Sequence, residues 1–461
     1  MKKKPNILFI MTDQQRHDTF GLNNSVIKTP NLDQLIQESV FFENARCTNP
    51  SCVPSRAAIM TGKMPSECQC PAYITELPPD EVTFMSRLQE EGYHTCVIGK
   101  QHFADSKIEY GYDEQTIIDG HGAFAPPQTI APYLRYLADH KTSPREVYKK
   151  TCISGGEWLV EEKLHIDNFI GDLGVEWVKK QDKSNEKPWF FTLSFSGPHH
   201  PYDLEGTKYS DMYDLADMNP PESNYEDLDQ KPPQYKNMNM YSKIYLKDHS
   251  DEQYRKSKRA YYANMTLMDE KIGEVIEELK KKDLYEDTVI IFTTDHGDFL
   301  GDHGLMEKLQ CLSDGLMRVP LFIKPGNKNA KFKKIEDPVL NVDIAATCLE
   351  IAGGKVPDSL SNYSYTGYFD ENFPVKVRPE VYMEAGGIRG VVFDDLKVIS
   401  YVDREYGELY DLKNDPLERI NLWNNPDFTT TKMIGLQRII NHLYKAIPKH
   451  EIPWNHGTPE I

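Results

Sequence analysis

Residues 6–14 read Asn-Ile-Leu-Phe-Ile-Met-Thr-Asp-Gln, an unbroken apolar run that gives way within one residue to a carboxylate and a carboxamide. A strand with one face in water alternates apolar and polar side chains. A run that is apolar at every position belongs to a strand covered on both faces, the condition of parallel strands in α/β proteins. Comparable runs recur at 96–98, 189–195, 289–292 and 319–323, and all five are read as doubly buried parallel strands.

Helical patterns lie between them. Met268, Ile272, Val275 and Leu279 fall on one helical face with lysines closing the last turn, and Phe84 and Leu88 stand four apart with Gly92 as the stop. Strand–helix alternation of this kind specifies an α/β fold with a doubly wound, mostly parallel sheet. From about Glu380 the texture changes to short strands joined by tight turns, then one amphipathic helix, so a smaller C-terminal α+β domain is expected. The chain divides on this reading into residues 1–375 and 376–461. Residues 202–251, rich in Pro, Tyr, Asp and Asn without a period, read as a long surface excursion near the functional site.

Composition narrows the function. With 71 acidic against 53 basic side chains the net charge is −18, which argues against nucleic acid or an anionic membrane as partner. No stretch has the length of a membrane span. The apolar run 7–11 is too short for a secretory signal, and the eight cysteines form no framework pattern, so a reducing cytoplasm is expected. Cys68 and Cys70 form a C-x-C pair without a second pair behind it, which is only a weak signal for a zinc site.

Ligands of open α/β sheets bind beyond the carboxyl ends of the strands. Reactive groups sit at those ends: Asp13 and Gln14 after the first run, Lys100 and His102 after the second, His199 and His200 after the third, Asp295 and His296 after the fourth, with Lys308 soon following. Cys52 and Arg56 open a short helix ended by Gly62, and the amide dipole there favours an anion.

Cys52-Val53-Pro54-Ser55-Arg56 followed by Met60-Thr61-Gly62 resembles the type I sulfatase signature of the alkaline-phosphatase superfamily. The resemblance extends in order through "NILFIMTDQ", "IGKQH", "GPHHP", "TTDHGDFLGDHGLMEK", "MRVPLFIKPG" and "GELYDLKNDPLERINL". It implies that Cys52 is oxidised to formylglycine by a maturase, and that the hydrated aldehyde attacks sulfur with one hydroxyl and expels sulfate with the other. It also implies one divalent cation, Ca²⁺ first with Mg²⁺ or Mn²⁺ as alternatives, on Asp13, Gln14, Asp295, His296 and the converted residue 52. By the same resemblance Arg56 and Lys100 hold the diol, His102 takes its second proton, and His199 and Lys308 serve the sulfate and the bridging oxygen. His200, His303 and Arg318 are read as structural.

The expected function is hydrolysis of a sulfate monoester of a sulfated carbohydrate. Asp13-Gln14 and Asp295-His296 depart from the Asp-Asp and Asp-Asn pairs of many sulfatases and resemble the choline-sulfatase and phosphonate-monoester-hydrolase branch. The alternatives are therefore a phosphonate monoester or phosphodiester hydrolase using the same site, and a non-catalytic metal-binding relative whose Cys52 stays a thiol.

Overall fold

A computed structural model describes residues 4–446 apart from 104, 121–126, 151–154, 220–224, 238–249, 327–330 and 362. Its main sheet has eight strands: Asn6–Thr12 (β1), Val40–Phe42 (β2), His94–Gly99 (β3), Glu114–Ile117 (β4), Trp189–Ser194 (β5), Thr288–Thr294 (β6), Leu321–Lys324 (β7) and Lys333–Ile335 (β8). They lie in the order β8-β2-β7-β6-β1-β5-β3-β4. β1 is central and parallel to β6 and β5, and β3 is parallel to β5 and β4. Every residue of β1 is buried, with Ile7, Phe9 and Met11 in one apolar core and Leu8 and Ile10 in the other. That two-sided burial is what the uninterrupted run encodes.

One strand departs from expectation. The run at 319–323 yields β7, which pairs antiparallel with both β6 and β2. The chain leaves β6 at its carboxyl end, builds a long loop containing only the short helices Asp302–Gly304 and Asp314–Met317, and re-enters the sheet from that same end. A reversed strand needs no crossover helix. Double burial looks alike in either direction, so the apolar run does not reveal it.

Helices cover both faces. Ile166–Lys179 and Asp251–Lys281 pack on one side; Cys52–Thr61, Phe84–Glu90 and Ile344–Ile351 lie on the other. The helix around Met268 is 31 residues long and starts where the excursion 202–251 ends. Its first half hides its apolar face behind Tyr254, Tyr261 and Tyr262, all buried. The excursion opens with a strand, Tyr202–Glu205, and continues through short 3-10 turns; its segments 220–224 and 238–249 lie outside the described residues.

Beyond residue 380 a four-stranded antiparallel meander, Val381–Ala385, Ile388–Phe393, Leu396–Tyr401 and Gly407–Asp411, packs against the helix Thr429–Ala446. We propose the division at 375/376 on this change from a mostly parallel to an antiparallel sheet. No helix among the described residues is long and apolar enough to cross a membrane.

Candidate active site

Strand register sets the site. Thr12 pairs with Thr294 across β1–β6, Met11 with Ser194 across β1–β5, and Gly99 with Ser194 across β3–β5. The residues that follow, Asp13, Asp295 and Lys100, therefore leave the sheet at one level. Gly99 has φ +109°, and a Cβ there would meet the Ser194 carbonyl oxygen at 1.8 Å. Only glycine lets β3 pass that close and deliver Lys100, whose backbone N–H donates to the same oxygen at 2.8 Å. Cys52 enters from above as the first residue of its helix, which ends in the left-handed Gly62 (φ +69°).

Arg56, one turn further, ties the floor together. Its Nε donates to Asp295 Oδ2 at 2.7 Å, its Nη2 to Asp13 Oδ2 at 3.0 Å, and its Nη1 to the Lys100 carbonyl at 2.8 Å and Ser194 Oγ at 3.1 Å. Lys100 Nζ lies 2.7 Å from Asp13 Oδ2. Both carboxylates thus spend Oδ2 on cations of the protein; Asp13 turns Oδ1 toward Cys52, and Asp295 Oδ1 accepts from the N–H groups of Gln14 and His296. The sulfur stands 3.7 Å from Asp13 Oδ1, 3.1 Å from His296 Nε2 and 3.1 Å from Lys308 Nζ. Lys308 Nζ also donates to Gln14 Oε1 at 2.8 Å and lies 2.7 Å from His199 Nε2. Gln14 adopts φ +65°, held by its backbone N–H donating to Asp295 Oδ1 and its carbonyl accepting from Tyr261 Oη. A non-glycine residue in that region persists only where its surroundings fix it.

Burial and charge set the protonation states. Burial raises the Asp13 carboxyl, but the charges of Lys100, Arg56 and Lys308 hold it well below the ordinary range. Burial, with Asp13 second, pushes the Cys52 thiol up to about 11 against the pull of Lys308 and Lys100, so at neutral pH it stays protonated. A protonated buried thiol is a poor nucleophile. Burial depresses His296, burial with Lys308 depresses His199, and burial with Lys100 depresses His102, so all three imidazoles are neutral.

Asp13, Gln14, Cys52, Arg56, Lys100, His199, Asp295, His296 and Lys308 converge directly. His102 sits at the rim: its backbone N–H donates to Asp119 Oδ1 at 2.9 Å, its ring meets Tyr73 edge-on, and its buried Nδ1 has no hydrogen-bond partner among the described residues. His200, read as structural, stacks on His199 with ring centroids 4.1 Å apart and lies 3.6 Å from Glu307. Arg318 donates to the Glu43 carbonyl instead of reaching the cluster. Sequence reading missed Ser55, whose Oγ donates to the Asp295 carbonyl at 2.6 Å, and Asp167, which accepts from Ser196 and Gly197 N–H ahead of His199. It also missed Ser194 and Asp298. Of these only Asp298, the second carboxylate in the six-residue polar run 293–298, left a signal in the sequence.

Asp13, Cys52, Asp295 and His296 each offer one ligand atom, and these atoms all lie within 4.8 Å of one another, fully buried. Buried carboxylates joined by an imidazole and a carboxamide oxygen form a donor set for a hard or borderline divalent cation. The mostly parallel sheet and this buried donor set at its strand ends together make a candidate site for metal-assisted chemistry.

Comparison with known proteins agrees. The sulfatase family model matches residues 5–354, and a model described as N-sulphoglucosamine sulphohydrolase, C-terminal, matches 301–445. The chain is 31% identical to an arylsulfatase of Clostridium perfringens, over 92% of this chain and 91% of that one. It is 29% identical to a choline-sulfatase of Rhizobium meliloti, covering 92% and 83%. An N-acetylglucosamine-6-O-sulfatase of Bacteroides thetaiotaomicron is 26% identical, covering 92% and 84%. In fold the chain is similar to the phosphonate monoester hydrolase of Agrobacterium radiobacter, with TM-score 0.83, 20% identity and 96% of each chain covered. The chain belongs to the sulfatase family and is a sulfuric ester hydrolase.

Proposed function

We propose that the chain hydrolyses a sulfate monoester of a carbohydrate, using formylglycine made from Cys52 and one divalent cation held by Asp13, Gln14, Asp295, His296 and residue 52. The observation that carries this is the convergence on Cys52 Sγ of a carboxylate oxygen, an imidazole nitrogen and an ammonium. Kept protonated by burial, the thiol is unsuited to attack as it stands, whereas a residue-52 diol supplies both a nucleophilic and an expelling hydroxyl. The cation, Ca²⁺ in the first instance, supplies Lewis-acid polarisation of sulfate oxygens.

The protein's own groups do the rest. Arg56, Lys100 and Lys308 balance Asp13, Asp295 and Asp298, so a bound divalent cation would make the site net positive and let it accept an anionic ester despite the acidic chain. Arg56 and Lys100 lock Asp13 and Asp295 in place. His102, neutral and with its Nδ1 unpartnered among the described residues, serves as the base for the second hydroxyl. His199 and Lys308 face the sulfate and hand a proton to the bridging oxygen, a contribution of roughly 10²–10⁴ in rate. The carbohydrate reading is supported by the name of the Bacteroides relative.

Hydrolysis of phosphonate monoesters or phosphodiesters is the second reading, favoured by Gln14 and His296 where many sulfatases carry Asp and Asn. Paired rates on an aryl sulfate and an aryl phosphonate monoester decide between them: higher kcat/KM on the sulfate is expected, and the reverse order overturns it. A formylglycine-generating maturase is the implied partner. We place the protein in the cytoplasm, supported by seven buried free thiols among the described cysteines.

A further inference from the structure

Asp298 belongs to none of the groups assigned above, yet its carboxylate, fully buried, gathers four donors. Oδ1 accepts from the N–H groups of Leu300 (2.7 Å) and Glu307 (3.0 Å); Oδ2 accepts from Tyr202 Oη and from Gln14 Nε2, both at 2.5 Å. Arg16 donates to its backbone carbonyl at 2.9 Å. The two oxygens thus have different tasks: Oδ1 closes the loop that carries Lys308, and Oδ2 faces the site.

A carboxamide has one end that donates and one that accepts, and only the oxygen can bind a cation or accept from an ammonium. Asp298, an acceptor, draws Nε2 toward itself and leaves Oε1 on Lys308 Nζ at 2.8 Å. The flipped amide would set oxygen against carboxylate and N–H against ammonium, losing two charge-assisted hydrogen bonds and gaining two repulsions. Through the Glu307 N–H the same carboxylate fixes the residue before Lys308, which sits at φ +62°. We propose that Asp298 is the positioning residue that orients Gln14 as a cation ligand; this rests on the reading that Gln14 belongs to a divalent-cation site.

The test is a double-mutant cycle read by calorimetric titration of the purified, metal-stripped full chain with Ca²⁺, and with Mg²⁺ and Mn²⁺ in parallel. D298N keeps an oxygen for Leu300 and Glu307 but presents N–H to Gln14, which must flip; affinity should fall roughly 10- to 100-fold. Q14E adds a ligand charge, so charge counting alone predicts tighter binding. Orientation by Asp298 predicts weaker binding, because two carboxylates then face each other. In Q14E/D298N the amide introduced at position 298 donates to one oxygen of the carboxylate introduced at position 14 and leaves the other oxygen on the site. Affinity should then recover to within about tenfold of wild type.

Melting temperatures of the metal-free variants separate roles: a purely structural Asp298 lowers them without moving cation affinity, which overturns the proposal. Should D298N fail to fold, Q14E alone decides, and tighter binding than wild type overturns the proposal. Wild type that binds none of the three ions defeats the metal reading itself and this inference with it. Wild type that binds while D298N binds equally well defeats only the role of Asp298.

Discussion

Lys308 Nζ lies 2.7 Å from His199 Nε2, and the same ammonium is 3.1 Å from the Cys52 sulfur. On the far side of the ring, His199 Nδ1 is 2.6 Å from the His200 carbonyl and so carries its hydrogen, leaving Nε2 to accept from Lys308. The neutral His199 ring thus accepts from the Lys308 ammonium beside residue 52. His199→Ala and Lys308→Ala should each cost a factor on the order of 10² to 10⁴ on a sugar sulfate, whose alkoxide leaves poorly, and much less on a nitrophenyl sulfate. Lys308 also faces the anion, so its variant should lose on both substrates, while His199→Ala shows the cleaner difference. Equal losses on both substrates for both variants would place the proton donor elsewhere.

Asp13→Ala and Asp295→Ala should each abolish bound metal and activity, because a single-ion site deprived of one carboxylate cannot offset the dehydration of a dication. Elemental analysis of the purified variants is the measurement. One ion per chain retained in both would contradict the ligand assignment.

Arg56 bridges those two carboxylates, 2.7 Å from one and 3.0 Å from the other, with the guanidinium fully buried. Arg56→Ala should cost about 3–5 kcal/mol in denaturant unfolding of the metal-free protein, the usual penalty for orphaning a buried ion pair. Arg56→Lys should recover only part, since an ammonium cannot reproduce the fork. Added divalent cation should narrow the deficit of Arg56→Ala; a deficit unchanged by metal would mean the two carboxylates do not share an ion.

Asp13 also yields a pH prediction. Burial opposes ionisation, but Lys100 and the other cations win and hold its folded pKa below the unfolded value. A depressed acid contributes stability that is present above the unfolded pKa and lost as pH falls through the folded one. Lys100→Met removes the largest of these lowering influences, so the acid limbs of both metal binding and stability should move to higher pH. An acid limb that stays in place in titrations of wild type and variant would show that Lys100 does not control Asp13.

Much of this site was legible in the chain because the fold needs its strand ends to be polar only where something happens. Asp13, Lys100 and Asp295 each directly follow an apolar run, and parallel pairing at matched register brings them to one level, while His199 joins them from the loop after β5. The direction of β7 was hidden, since a doubly buried strand is equally apolar whichever way it runs. The first half of the helix Asp251–Lys281 was hidden because tyrosines, polar by count, supply its buried face. Ser194 gave no sign, being a single hydroxyl at a strand end whose meaning depends on Arg56, 138 residues away.

The central claim is that residue 52 reacts as formylglycine, and it is tested most directly by preparing the protein with and without a co-expressed maturase. The converted fraction is read from the mass of the peptide bearing residue 52, and turnover is measured on a nitrophenyl sulfate. Rates should scale with the converted fraction and extrapolate to zero for the thiol, whose pKa of about 11 leaves it protonated. Unconverted Cys52 protein that turns over as fast as converted protein would contradict the account.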